Sequence, residues 1–423
     1  MFTVGNIGHL LVISSFVFSL SFLIGYLISE KENYKDEWIR FSKFSYLLHS
    51  LSIFGVIICL YIILITDNFR YYYAFQHTSI LLPIYYKISS LWEGQEGSFL
   101  LWMFWNVIIG LYFSFKPISK WNVSIMVVIG FTQLLLSSMI LGVVFYEVKI
   151  GSSPFILLKD AISAPIFQID PNYIPEDGTG LNPLLQNYWM VIHPPTLFLG
   201  FAVSIIPFSY AISSLRLKDY KSWIVPAKKW LVLSIIILGI GIMMGAYWAY
   251  ETLNFGGYWN WDPVENAVYV PWLFLVASLH SIILTQKNRQ YYKMSLILCV
   301  LSFVLILYST FLTRSGILGD SSVHSFTDLG LSGQLLIYLF TFIIISCYLF
   351  FIRWKNIPYS EKEAKVYNAD FWLYIGVFTL ILMSFQVIFP TSIPVYNAIV
   401  EFFGGFSNLA PPIEKEIFYS SAQ

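Results

Sequence analysis

Apolar residues run along this chain in stretches of about 20, the length a helix needs to cross roughly 30 Å of hydrocarbon. The stretches fall near 8–28, 46–66, 99–115, 122–146, 192–213, 230–250, 268–286, 292–313, 334–353 and 371–393. Within a bilayer the backbone must bond inside its own segment, so each is predicted to be a helix. The predicted fold class is therefore all-α, a polytopic membrane bundle of about ten transmembrane helices. The run from His9 to Ile28 has no basic segment before it and no small-residue cleavage site after it. It reads as the first of these helices and not as a signal peptide. With no repeat, low-complexity tract or Pro/Gly linker to divide it, 1–423 reads as one membrane domain.

Orientation follows from where Lys and Arg fall. The connections 29–45, 116–121, 214–229, 287–291 (with Lys293) and 353–370 hold 18 of the 24. The other six, Arg70, Lys87, Lys149, Lys159, Arg314 and Lys415, are spread over much longer segments. The short basic connections are predicted to face the cytoplasm or its organellar equivalent. Both termini are predicted to face outward, together with 67–98, 147–191, 251–267, 314–333 and the tail from 394.

Composition narrows the class further. The chain is 57% hydrophobic and 11% charged, with a mean hydropathy of +0.69, values that exclude an ordinary soluble domain. Its 24 basic and 24 acidic residues balance, and nothing in the charge pattern points to nucleic acid. Cys59, Cys299 and Cys347 each stand alone in an apolar run, without a CxxC or CxxCH motif. That excludes CxxC-type disulfide exchange and a c-type cytochrome, and leaves the cysteines as packing residues.

The most informative connection is 251–267, which has no Lys or Arg. Gly256 and Gly257 allow a bend or close approach to a flat ligand, and Tyr258, Trp259 and Trp261 offer broad π faces. Asp262-Pro263-Val264-Glu265 reads as a helix start, with Asp262 as N-cap, Pro263 at N1 and Glu265 at N3. Capping accounts for the two acids. The aromatics have two readings, an interfacial belt or a platform for a planar apolar macrocycle, and the density of rings between a glycine bend and a cap favours the platform.

Histidines are scarce, six in all. His193 precedes Pro194 and Pro195, which are predicted to set the first turn of the fifth helix. His324 follows Thr313-Arg314-Ser315-Gly316 in the 314–333 connection. On separate helix pairs, with the aromatic loop between them in sequence, these two are placed to act as axial ligands to one haem iron. His280 lies inside the seventh helix, where an ionisable group is a functional-site hypothesis by default; it serves either a b-type haem or a neighbouring helix. Arg314 either pairs with a haem propionate or snorkels from its helix end. His9, His49 and His77 read as structural.

These segments resemble the cytochrome c biogenesis family of CcmF and CcsA, marked by a tryptophan-rich "WWD" loop between two outer histidines, and most of all its CcmF branch. Gly256 to Ala267 (GGYWNWDPVENA) is similar to the WWD motif itself and Trp92 to Trp102 (WEGQEGSFLLW) to a second CcmF signature. Leu181 to Pro195 and Phe311 to His324 resemble the segments leading to the two outer histidines. Ser278 to Ser281 falls where that family places an intramembrane haem ligand. The likeness runs from Gly5 to the last predicted helix. In two places the chain departs from it: Phe255 stands where a tryptophan is expected, and no histidine follows His324 to pair with His280. Either the chain is truncated or split, or His280 has another partner.

The resemblance implies a haem lyase component in a bacterial inner membrane, or an organellar one, with its active site on the periplasmic side. It implies haem b held at the outer face by His193 and His324, ringed by Gly256, Gly257, Tyr258, Trp259, Trp261 and Asp262, with a second haem at His280. Its implied partners are a haem-delivering chaperone, apocytochrome c with its CxxCH thiols, a CcmH-like thiol-handling subunit, a quinol and membrane lipid. No side chain stands out as general acid, base or nucleophile, so the chain's part is positioning and redox control. A haem exporter or chaperone without synthase activity, or a quinol-linked b-haem subunit, stays open as the alternative.

Overall fold

The computed structural model describes residues 3–146, 148–252, 257–319, 322, 330–359, 368–410, 412 and 415–419. Among them, ten helices are long and apolar enough to cross a membrane. They are α1 (Val4–Lys31), α2 (Asp36–Ile65), α3 (Gln95–Phe115), α4 (Lys120–Met139), α5 (Tyr188–Leu217), α6 (Ile224–Thr252), α7 (Pro263–Lys287), α8 (Tyr292–Arg314), α9 (Ser332–Arg353) and α10 (Ala369–Thr391). A shorter apolar helix, α11 (Ile393–Phe402), follows. The all-α class and the ten helices are as predicted.

Two boundaries differ from the hydropathy pattern. The fourth apolar run was expected to continue to 146, but α4 stops at Met139. Gly142 then takes a left-handed φ of +62°, and Val143–Phe145 pairs antiparallel with Val148–Ile150 as a small hairpin, β1 and β2. The β-branched valines keep the segment apolar while favouring a strand, so hydropathy alone overshoots. The fifth helix starts at Tyr188, where Asn187 accepts from Trp189 N through its side chain at 3.0 Å. Pro194 and Pro195 therefore lie inside α5 and not at its first turn.

The chain divides into two compact units, 1–198 and 199–423, with the division inside α5. In the first, α1 packs on α2 and α4, and α3 packs on α2 and α4. Buried polar contacts join them: His49 Nδ1 bonds Ser15 O at 2.8 Å, and Tyr46 donates to Asn106 O and Val107 O. Such side-chain bonds tie helices together where lipid supplies no hydrophobic drive. The connections 67–98 and 147–191 are laced into one layer. Tyr72 N donates to Ile156 O, Leu158 N to Arg70 O and Thr179 N to Phe75 O, all within 3.0 Å.

In the second unit α7 is the central helix, packed on α6, α8 and α10, with α9 against α8. Phe208, Phe303 and Phe342 form a buried aromatic triangle with centroids 5.1–5.5 Å apart. Cys59 and Cys299 are buried and Cys347 exposed, none bridged.

Within the first unit one close approach is decisive. A Cβ on Gly97 would collide with the backbone carbonyl of Leu91 and with Tyr73 Oη. Gly97→Ala is therefore expected to destabilise the protein by about 1–3 kcal/mol through overpacking. Gly376→Ala, where nothing lies within 4 Å, should be neutral or slightly stabilising. Thermal unfolding of the detergent-purified variants measures both.

Candidate functional site

The aromatic connection ends in a cap that ties down residues 260–265. Asp262 Oδ1 accepts from Val264 N at 2.9 Å, and Glu265 Oε2 accepts from Asp262 N and Asn260 N at 3.1 Å each. This is the predicted capping box, with Pro263 in the first turn of α7. Asp262 does more than cap: Ser322 Oγ, from the 314–333 connection, donates to its Oδ1 at 2.7 Å. One buried carboxylate thus joins the tryptophan loop to the segment leading to His324. Arg314, the last residue of α8, is also buried, where its charge complements the helix C-terminus.

Held by this cap, Trp261 adopts φ +52°, a left-handed conformation that a bulky residue takes only when its surroundings enforce it. Its ring is 2% exposed. Trp259 meets it at 86° with centroids 5.8 Å apart, so the two indoles form a corner and not one flat face. Tyr269 of α7 backs both rings and Tyr419 stacks on Trp261 at 4.6 Å and 23°. Burial pushes the Tyr419 hydroxyl pKa up, against hydrogen bonds with Thr391 and Asn266 that lower it. The Nε1 atoms of Trp259 and Trp261 are buried without a hydrogen-bond partner, which is costly for an indole N–H. Tyr258 lies apart, 43% exposed, donating to Met243 O at 3.1 Å. Gly257 has open space, its nearest neighbour to a Cβ being Trp259 O at 3.8 Å. Gly256 and Phe255 lie outside the described residues.

The first unit holds the other signature segments. Pro194 has no N–H to give to the carbonyl four residues back, Met190 O, and Trp92 Nε1 fills that role at 2.8 Å. Trp105 Nε1 donates to Pro195 O at 3.0 Å. Tyr73 Oη fixes the turn after Trp92, donating to Leu91 O at 2.8 Å and accepting from Gly94 N at 3.2 Å. Its pKa is raised well above the ordinary value by burial, with Glu96 and Glu93 adding to the rise. Glu93 bonds His77 Nδ1 at 2.8 Å, and buried Glu96 accepts from Ser152 Oγ at 2.6 Å. His193, half-buried on α5, sits one turn beyond the carbonyl that Trp92 satisfies.

Of the remaining histidines, His280 bonds the carbonyl of Val276 through Nδ1 at 2.8 Å. Because α7 begins at Pro263, His280 lies about 25 Å along it at 1.5 Å per residue, nearer the Lys287 end than the loop end. His324 lies outside the described residues. His9 has Ser153 Oγ at 3.4 Å, so His9, His49 and His77 each meet a local polar partner.

A family model described as "Cytochrome C assembly protein" matches residues 92–318, more than half of the chain and all of this polar framework from Trp92 to Arg314. The chain belongs to the cytochrome c assembly protein family. Among family members, the "Cytochrome c-type biogenesis protein CcmF" of Pseudomonas fluorescens is 30% identical over 382 residues, 90% of this chain and 53% of that protein. That of Haemophilus influenzae is 31% identical over 344 residues, 80% of this chain and 49% of the relative. The chain thus spans about half the length of these curated relatives. A solved "Cytochrome c Heme Lyase CcmF" matches with a TM-score of 0.74 and 20% identity, over 99% of this chain and 64% of that one. At that identity the likeness is one of fold.

Reading the sequence missed Tyr269, Ser322, Asn266 and Tyr419 as parts of this assembly member's aromatic corner. Only Tyr269 carried a signal, lying three residues before Trp272 on one face of α7.

The polar joints can be tested by substitution. Trp92→Phe should cost about 1–3 kcal/mol by orphaning Met190 O. The penalty should largely vanish in a Pro194→Ala background, where the backbone N–H restored at that position bonds the same carbonyl; thermal unfolding of the double-mutant cycle decides. Asp262→Ala should cost about 1–2 kcal/mol and speed amide exchange around 261–266 and 322, while Asp262→Asn, still a good cap, should do less.

Proposed function

We propose that this chain binds haem on the outer face of the membrane and presents it to apocytochrome c, as the haem-handling component of a cytochrome c haem lyase. The observation that carries this reading is the Trp259–Trp261 corner. It is a buried aromatic corner whose two indole N–H groups have no hydrogen-bond partner among the described residues, tied through Asp262 to a residue two positions before His324. Its family and the names of its relatives support the same reading. In this proposal His193 and His324 are the axial ligands. Gly256, Gly257, Tyr258, Trp259 and Trp261 hold the ring, Asp262 fixes the loop, and Arg314 pairs with a propionate.

The residues fit such a cargo: imidazoles for iron, a buried guanidinium for carboxylate and apolar aromatic walls for the macrocycle. Thioether formation adds each CxxCH thiol across a haem vinyl group, S–H to C=C, with no net electron transfer. Reduced iron and reduced thiols are what it requires. The chain's own residues orient the ring, exclude water from it and hold the iron's two axial positions. The haem-delivering chaperone, the CcmH-like thiol-handling subunit and the bacterial inner membrane, with its periplasmic face as the outer side, belong to the same proposal.

A second haem b is proposed at His280. Its Nδ1–H donates to Val276 O, which fixes the tautomer with Nε2 as the basic nitrogen that a metal takes. A haem there, reduced by a quinol, would supply electrons to keep the outer iron reduced.

Absorption spectra of the detergent-purified protein, expressed with haem supplied, test the reading. The wild type should show a b-type spectrum. His193→Ala and His324→Ala should each alter the outer-haem bands, and His280→Ala should remove a separate component. Absence of any haem spectrum, or identical spectra in all three variants, would reject the assignment.

A further inference from the structure

Far from the aromatic corner, the first turns of α6 and the last turn of α7 border a cleft of 520 Å³ lined by Val225, Lys228, Lys229, Val232 and Gln286. Lys228 Nζ donates to Gln286 Oε1 at 3.4 Å. Among the described residues no carboxylate pairs with Lys228 or Lys229, whereas Lys287, next along α7, is neutralised by Asp370 at 2.9 Å. In a chain with equal numbers of acidic and basic residues, two adjacent ammonium groups at one cleft are uncompensated charge.

The cleft opens onto lipid-type surface. Val225 and Val232 are exposed, and on the same side of α6 so are Ile236, Ile240 and Met243. Their three- and four-residue spacing draws one apolar strip along the helix, starting at the lysines.

We propose that this cleft is a binding site for an anionic phospholipid. The phosphate lies between the Lys228 and Lys229 ammonium groups, with the Gln286 amide N–H as a further donor. Gln286 Oε1 keeps Lys228 aimed inward, and the acyl chains follow Val232, Ile236, Ile240 and Met243. A phosphate headgroup carrying acyl chains satisfies both the charge and the apolar strip, and a free inorganic anion satisfies only the first. The site is independent of haem.

Native mass spectrometry of the full chain in detergent, titrated with dioleoylphosphatidylglycerol or dioleoylphosphatidylcholine, tests this. Phosphatidylglycerol should bind the wild type in preference to phosphatidylcholine. The Lys228→Gln/Lys229→Gln variant should bind it about tenfold more weakly, with phosphatidylcholine retention unchanged. Lys228→Arg/Lys229→Arg should retain binding, which separates loss of charge from loss of fold. Equal binding of the two lipids, undiminished binding by the glutamine variant, or displacement of the lipid by millimolar inorganic phosphate would each overturn the proposal.

Discussion

A helix in hydrocarbon must satisfy its backbone from within, and the supply fails at its ends and wherever a proline removes an N–H. The two signature segments of this chain both meet that shortfall. In the first unit the Trp92 indole supplies the bond that Pro194 withholds from Met190 O. In the second, Asp262 and Glu265 satisfy the open amides at the start of α7. The side chains proposed to touch haem are placed by these bonds: His193 just beyond the patched carbonyl, and Trp259 and Trp261 on the residues leading into the cap. Motifs that look like ligand-binding sequences are, at their root, repairs to the backbone.

The repair in the second unit also holds a strained conformation. Trp261 at φ +52° costs on the order of 1–3 kcal/mol, offset by a capping box, a buried stack with Tyr419 and the bond from Ser322. The result is a tryptophan whose direction is set by its neighbours and not by its own preference. In the proposed haem role, that leaves little ordering to be done on binding.

Much of the fold was legible because hydrocarbon demands long apolar segments, and ten were visible as such. Their ends were less so. Val143 and Val144 continue the apolar run of α4 although Gly142 has already turned the chain, and Asn187 starts α5 before hydropathy rises. The Asp262–Glu265 cap could be read because its partners are neighbours in sequence. Trp92 with Met190, Asp262 with Ser322 and Trp261 with Tyr419 could not, because no local pattern records which distant residue a buried group will meet. The start of α7 is a related case: its polar first turn, led by Pro263, is helix that hydropathy does not count, so His280 lies further along the helix than the apolar run 268–286 indicates.

The Trp92–Met190 bond spans 98 residues, and that separation bears on how the chain is made. When α3 enters the membrane during synthesis, its fastening point on α5 does not yet exist. The carbonyl of Met190 arrives only after α4, the hairpin and the whole 147–191 connection have been synthesised. Until then the layer built from 67–98 has its interior knot, centred on Tyr73, without its clasp. The clasp on this half can therefore form only once the first turn of α5 has been made, after the bonds between 67–98 and 147–191 already have both their partners.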